Sequence, residues 1–270
     1  MMLITGATGN VGRPLVEALV QQGAEVRAMT RDLAPGFPPE VQLSGDLHGV
    51  TSVFLNSRPL GSLMSQFVAQ AVAAGVRRIV ALSAINADDE VQPSRFRGDL
   101  NREAELLATE SGVEWVSLRP TMFACNALGM WAGQIRDGDV VRGPYAEATW
   151  APVDERDVAA VAAHALLTDD LLGRKVDLTG PMSLTQAESI AMMGATLGRS
   201  LRYKEVPAEA FAEGMVSRGF PRGFADALMS LYANSVGTPA VVTDSIPRIL
   251  GRPARSFAQW TIDHKDAFQR

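Results

Sequence analysis

The run Thr5-Gly6-Ala7-Thr8-Gly9-Asn10-Val11-Gly12 stands between a short apolar stretch and a helical pattern that opens near Pro14. Each glycine there has its own physical use. Gly6 permits a tight turn, Gly9 removes a side chain where a pyrophosphate must approach the backbone, and Gly12 lets helix and strand pack closely. Thr8, Asn10 and Val11 complete the loop, and the helix N-terminus behind it offers unpaired N–H groups and a partial positive charge to phosphate oxygens. Placed between a strand and a helix at the head of the chain, this reads as a dinucleotide cradle rather than an ordinary glycine turn. About 20 residues further on, where an adenosine ribose is read, the second apolar stretch ends in Arg31-Asp32. An acid at that place accepts hydrogen bonds from the ribose hydroxyls of NAD, and an arginine pairs with the 2′-phosphate of NADP. Arg31 comes first after Thr30, so NADP(H) is the expected cofactor, with NAD(H) retained. Arg13 could add charge near the same phosphate, but reads better as a solvated arginine at a helix start.

The other chemistry-bearing residues have plainer readings. Cys125 is the one cysteine, which excludes an internal disulfide or thiolate cluster; nothing beside it marks an activating base, so it reads as a small core residue. His48, His164 and His264 lie far apart with no metal-ligand spacing, and no metal is expected. Asp154, Arg156 and Asp157 look like a catalytic cluster, but a capped helix start explains them better. Arg119, before a proline at a strand end, reads as a structural ion pair. Ser83 closes a strand and is the candidate to orient a substrate oxygen, a strand-end cap being the equal alternative. Met122, Phe123, Met130, Trp131 and Trp150 suit either an apolar pocket for a flat ring or ordinary core packing.

These residues need elements to hold them, and the pattern supplies an alternation. Residues 2–5, 24–30, 41–44, 51–56, 76–83 and 113–118 read as strands, the last stopped by Arg119-Pro120. Residues 14–22, 60–74 and 94–111 read as helices, and 33–40 as a Pro/Gly loop. Strands alternating with helices imply a parallel sheet covered on both faces. Further on come a helix over 155–167, a strand over 175–179, a helix capped by Ser183 or Thr185 through about 197, and a strand over 201–206. The remainder is helical, broken at Pro221, Pro239, Pro247 and Pro253. The fold class is α/β, a Rossmann-type doubly wound parallel sheet. Residues 1–153 form the dinucleotide-binding domain, and 154–270 a smaller, mostly helical substrate subdomain intertwined with it. One place resists this reading: only Leu47, His48, Gly49 and Val50 separate Asp46 from Thr51. A parallel crossover normally needs a dozen or more residues. Either a bare loop replaces the helix, or the run at Val41 is no strand, or residues are missing there.

The chain resembles the NmrA-like branch of the atypical short-chain dehydrogenases/reductases. The resemblance rests on the opening glycine run, Gly45-Asp46-Leu47, Arg78-Ile79-Val80-Ala81-Leu82-Ser83, and Leu118-Arg119-Pro120 with Phe123 and Asn126. It continues through Asp154-Glu155-Arg156-Asp157-Val158-Ala159 and Leu178-Thr179-Gly180-Pro181, and so covers nearly the whole chain. It implies that Asp46 lies beside the adenine, that Asn56, Ser57 and Arg58 approach the inner half of the cofactor, and that Ser83 and Ala84 lie near the nicotinamide. Pro120, Thr121 and Met122, with Phe123 and Asn126, would wall the nicotinamide and substrate pocket. The Tyr-x-x-x-Lys proton relay of the wider superfamily is absent: the corresponding helix reads Arg95-Phe96-Arg97-Gly98-Asp99-Leu100, and neither Tyr145, Tyr203 nor Tyr232 has a lysine four residues on.

The loop and the resemblance together imply an NAD(P)H-dependent oxidoreductase that reduces a quinone or conjugated aromatic carbonyl by direct hydride transfer without that relay. The alternatives are a non-catalytic NAD(P)-binding redox sensor and a tailoring enzyme acting on a polycyclic aromatic metabolite. The net charge of -5 advertises no nucleic acid, no apolar run is long enough to span a bilayer, and the start lacks signal-peptide features. A cytoplasmic monomer or homodimer is expected.

Overall fold

The structure is a computed structural model and describes residues 1–32, 34–88 and 98–269. Strands β1 (Met2–Thr5), β2 (Val26–Met29), β3 (Gln42–Leu43), β4 (Ser52–Asn56), β5 (Arg78–Leu82) and β6 (Glu114–Pro120) build one parallel sheet. β7 (Val140–Gly143) and β8 (Thr149–Trp150) lie outside it, and β9 (Arg174–Leu178) returns to form its far edge, giving the order β3-β2-β1-β4-β5-β6-β9.

Alternation along the strands sorts side chains onto two faces. Ile4, Val26, Ala28, Phe54, Val80 and Leu118 pack under α1 (Gly12–Gln21), with Val158, Val161 and Ala162 of a later helix beside them. On the opposite face Leu3, Val53, Leu55, Ile79 and Ala81 pack with Met64, Phe67 and Ala104. That face is covered by the short α2 (Ser57–Leu60), by α3 (Met64–Ala73) and by α4 (Gly98–Thr109). The start expected for α4 at 94, with Arg95, Phe96 and Arg97, lies outside the described residues, as does Leu33 of the 33–40 loop.

The β3–β4 connection is a bare loop: Leu43 pairs with Ala28, so the run at Val41 does lead into a strand. The eight residues 44–51 must cross three strand spacings, about 14 Å, and can reach about 26 Å. Little axial return is needed, because β3 ends level with Ala28 and β4 starts level with Val26. A turn from Leu47 to Val50, closed by a 3.1 Å hydrogen bond and carrying Gly49 at φ 73°, reverses the chain. Leu47 and Val50 then cover Leu3, where a crossover helix would otherwise lie.

Two further differences from the sequence pattern have local causes. β6 is not stopped at Arg119-Pro120 but runs through both, with Pro120 paired to Leu178. As the last residue it serves as an acceptor, its carbonyl taking the Ile85 N–H at 3.1 Å, so the missing N–H costs nothing. Pro247 does not break a helix; it is the third residue of a helix over Ser245–Leu250, where no intrahelical N–H bond is yet due.

The C-terminal part begins after α5 (Gly133–Asp137) with α6 (Glu155–Leu167), capped by Asp154 and packed on α1. β10 (Leu184–Thr185) pairs with β8, and α7 (Gln186–Leu197) follows with a full capping box from Thr185 to Glu188. β11 (Arg202–Glu205) pairs in parallel with β7. Helices over Ala208–Ser217, Arg222–Ser235 and Phe257–Asp263 complete it.

Candidate functional site

The C-terminal ends of β1, β4, β5 and β6 open on one edge of the sheet, and the residues singled out by sequence gather there. Thr5 stitches β1 to β4: its hydroxyl donates to the Phe54 carbonyl at 2.9 Å and accepts the Asn56 N–H at 2.7 Å. Gly6 has φ 67°, and a Cβ on it would lie 3.0 Å from the Asn56 amide nitrogen. A Cβ on Gly12 would sit 2.1 Å from the Gly6 carbonyl oxygen, so helix and loop meet there without room for any side chain. Gly9 differs: it is exposed, and its Cβ would meet only the Gly6 oxygen at 3.2 Å. The space over Gly9 is not consumed by the protein's own packing. α1 has neither a side-chain cap at Val11 nor an acidic residue in its first turn, so although the Arg13 N–H is already given to the Gly9 carbonyl at 3.0 Å, no carboxylate competes with an anion at this helix start. A dinucleotide pyrophosphate fits this cradle.

The loop is braced on both sides. The Thr8 and Thr30 hydroxyls are 3.1 Å apart, and Asn10 donates to Cys125 Sγ at 3.0 Å. Arg13 is not simply solvated: its guanidinium lies 5.0 Å from the centre of the Phe37 ring. Arg31 is exposed just past β2, while the Asp32 carboxylate accepts the Ala34 N–H at 3.0 Å within a local turn. Asp46 is exposed at the end of β3; its N–H donates to Ser44 Oγ at 2.9 Å and its carboxylate accepts the His48 N–H at 3.1 Å. Asn56 caps α2 by accepting the Arg58 N–H at 3.1 Å. The Ser57 hydroxyl is turned to α4, donating to Asn101 at 3.2 Å, and Arg58 is exposed.

At the inner end, Ser83 is 2% exposed and its hydroxyl has no hydrogen-bond partner among the described residues. Its N–H is held by the Leu118 carbonyl at 2.8 Å, which fixes the residue at the β5 terminus beside Ala84. The Thr121 hydroxyl donates to the Ala151 carbonyl at 2.6 Å and is a stitch between segments. Met122 is half-buried between two C-terminal apolar clusters, Phe123 packs against the sheet core, and Asn126 is exposed. Trp131 and Trp150 belong to the core: they meet edge to face at 5.6 Å and both pack on Phe257.

The tyrosines are placed for structure. Tyr203 donates to the Pro144 carbonyl at 2.7 Å, Tyr232 is buried with Met130 Sδ at 3.9 Å as its contact, and burial pushes both hydroxyls well above their usual range. Burial likewise pushes the Cys125 thiol up to about 12, with the Glu155 carboxylate adding to the effect. One network was signalled in the sequence at Arg119 alone. Buried Glu105 of α4 accepts from Arg119 at 2.5 Å, from Ser117 at 2.5 Å and from Lys175 at 2.9 Å, and Arg119 also holds Asp88 at 2.7 Å. Burial alone would raise the Glu105 carboxyl, but these donors overcome it and hold it at about 2. Arg119, flagged from sequence as an ion-pair residue, is its centre. Among the described residues no group of three His, Cys, Asp or Glu side chains could hold a metal ion, and no helix is long and apolar enough to cross a membrane.

Comparison with known proteins decides the family. Residues 40–169 match a family model described as NAD(P)H-binding. The chain is 36% identical to a (4-alkanoyl-5-oxo-2,5-dihydrofuran-3-yl)methyl phosphate reductase of Streptomyces griseus, over 99% of both chains. It is 32% identical to an NAD(P)H azoreductase of Xenophilus azovorans, again over 99% of both. The crystal structure of the NADPH-dependent quinone oxidoreductase QOR2 of Escherichia coli superposes with a TM-score of 0.80 at 26% identity, covering 98% of this chain and 100% of that one. The chain belongs to the NmrA-like atypical short-chain dehydrogenases/reductases. As a member of that family it is an NAD(P)H-dependent oxidoreductase.

Proposed function

We infer that this NmrA-like protein reduces a small conjugated electrophile, a quinone or conjugated aromatic carbonyl, at the edge formed by β1, β4, β5 and β6. The observation that carries the reading is Ser83, a buried hydroxyl without a partner among the described residues, at the end of β5. A buried unpaired hydroxyl is costly, and a substrate oxygen at that place satisfies it. The named relatives support the substrate class, since an oxo-dihydrofuran, an azo bond and a quinone are all conjugated acceptors.

The chain's own residues divide the work. The Gly6–Gly12 loop and the start of α1 take the pyrophosphate, and Arg31 faces the 2′-phosphate of NADP, with Arg13 nearby and Asp32 tied into its own turn. When bound, NADPH supplies the hydride. Ser83 donates to the acceptor oxygen, while Ala84, Pro120, Met122 and Phe123 exclude water from the ring. The acceptor takes two electrons and one hydrogen as hydride, and a proton from solvent completes the hydroquinone. No tyrosine is required, because the conjugated ring drives hydride uptake electronically. Of the chain beyond 154, α6 and β9 complete the sheet unit, and the elements after β9 close the substrate side.

The test begins with calorimetric titration of NADPH and NADH. Loss of reduced-nicotinamide absorbance is then followed with a benzoquinone, a naphthoquinone and an azo dye. Acceptor-dependent oxidation is expected, and Ser83→Ala should lower kcat about tenfold with NADPH affinity unchanged. Tight binding without turnover of any acceptor would overturn the reading in favour of a dinucleotide sensor.

A further inference from the structure

The loop that replaces the crossover helix is held from beneath by one side chain. Arg27, on β2, alternates onto the same face as Leu3 and is 7% exposed. Its Nη1 donates to the Asp46 carbonyl at 2.5 Å and to the His48 carbonyl at 3.0 Å. Nε and Nη2 both donate to Gln42 Oε1, at 3.2 and 2.8 Å, and the Asp46 carboxylate lies 3.8 Å from Nη1. The guanidinium thus makes four hydrogen bonds into residues 42–48. Other bonds of that segment are mostly local, such as Asp46 N–H to Ser44 Oγ and His48 N–H to Asp46. A crossover helix holds itself by its own hydrogen bonds and apolar face. The bare loop has only a single tight turn and the contacts of Leu47 and Val50 in their place, and a planar fork of donors fixes its carbonyl row.

The held segment includes the exposed run Gly45-Asp46, at the same end of the sheet as Arg31 and the Thr8–Thr30 contact. That is the adenosine end of the dinucleotide site. We propose that Arg27 is a positioning residue for the adenosine half of the dinucleotide. By fixing the backbone of residues 44–48 it presents them as one wall of the adenine pocket, and it does so without touching the ligand. This rests on the dinucleotide site of the proposed function.

The test separates the two halves of the cofactor. Arg27→Met keeps an unbranched stem on the face shared with Leu3 but removes the donors; Arg27→Lys keeps the charge but cannot span three acceptors. Calorimetry on the unliganded protein with NADPH and with adenosine 2′,5′-bisphosphate should show affinity falling about tenfold or more for Arg27→Met, and less for Arg27→Lys. Turnover driven by reduced nicotinamide mononucleotide, which lacks the adenosine, should be unchanged, as should kcat at saturating NADPH. Unchanged affinity for the bisphosphate, or an equal loss with the mononucleotide, would overturn the assignment. Should Arg27→Met fail to fold, the same pattern at smaller size in Arg27→Lys decides it. Wild-type protein that bound neither NADPH nor the bisphosphate would sink the dinucleotide site itself, and is thereby told apart from a failure at Arg27.

Discussion

Arg27 and Arg119 stand towards opposite ends of the same sheet, on β2 and β6, and each is 7% exposed. Both fasten a loop at the cofactor edge. Arg27 does it against carbonyl oxygens of residues 46 and 48 and a glutamine, with its one carboxylate neighbour at 3.8 Å. Arg119 does it against two carboxylates, buried Glu105 and the exposed Asp88 just past β5. Equal burial therefore hides unequal energetics. Carbonyls in an exposed loop return to water when their donor is lost, so an Arg27 substitution costs on the order of 1–2 kcal/mol of folding free energy. A carboxylate with 3% side-chain exposure has no such escape. On the proposed cofactor placement, the adenosine end is tuned for shape at little cost in charge, and the nicotinamide end rests on ions that must remain ionised.

Removing the central cation should have the largest effect. Arg119→Met should lower the unfolding free energy by about 3–5 kcal/mol in urea, several times the loss from Arg27→Met; equal losses would erase the contrast. The next effect is in acid. A carboxyl lowered from 4.5 to about 2 contributes stability that is fully present above pH 4.5 and is lost as pH falls towards 2. That contribution is about 3 kcal/mol. Urea midpoints at about pH 6 and about pH 3 should therefore diverge strongly for wild type and for Arg27→Met, and much less for Glu105→Gln. A wild-type slope retained in Glu105→Gln would remove Glu105 from the account. The smallest effect sharpens the other side. Gly49 has φ 73° with nothing within 4 Å of an added Cβ, so Gly49→Ala meets conformational cost alone, about 1 kcal/mol. A loss well above that in a melting experiment would mean the turn is packed and not merely bent.

The glycine cradle was legible because each of its reasons is local: a turn, an open approach, a close packing. Helices with side-chain caps were legible for the same reason, and Asp154 and Thr185 mark the starts of α6 and α7 as their chemistry requires. β7, β8 and β10 were not, since they stand outside the strand–helix alternation and their partners are set by tertiary packing, as β7 finds β11 some 60 residues on. Trp131 and Trp150 suited a pocket or a core equally by composition; the packing on Phe257 is what the chain could not announce. Arg27 had a faint signal. It is the one charged residue in an otherwise apolar strand, and the connection too short for a helix lay just downstream. Neither fact speaks alone, because an arginine in a strand reads as an outward-facing one until the face it shares with Leu3 is known.

Asn10 leaves one more mark on the molecule. By donating to Cys125 it ties the phosphate loop to the chain's only thiol, whose proton is retained at neutral pH. A thiol so held is a clock wound into the fold. Burial and the Glu155 carboxylate hold its proton, and the Asn10 donor works against them, so the pace of its labelling should change whenever that loop moves. A ligand seated over Gly9 should therefore be read in the rate at one sulfur on the far side of the loop.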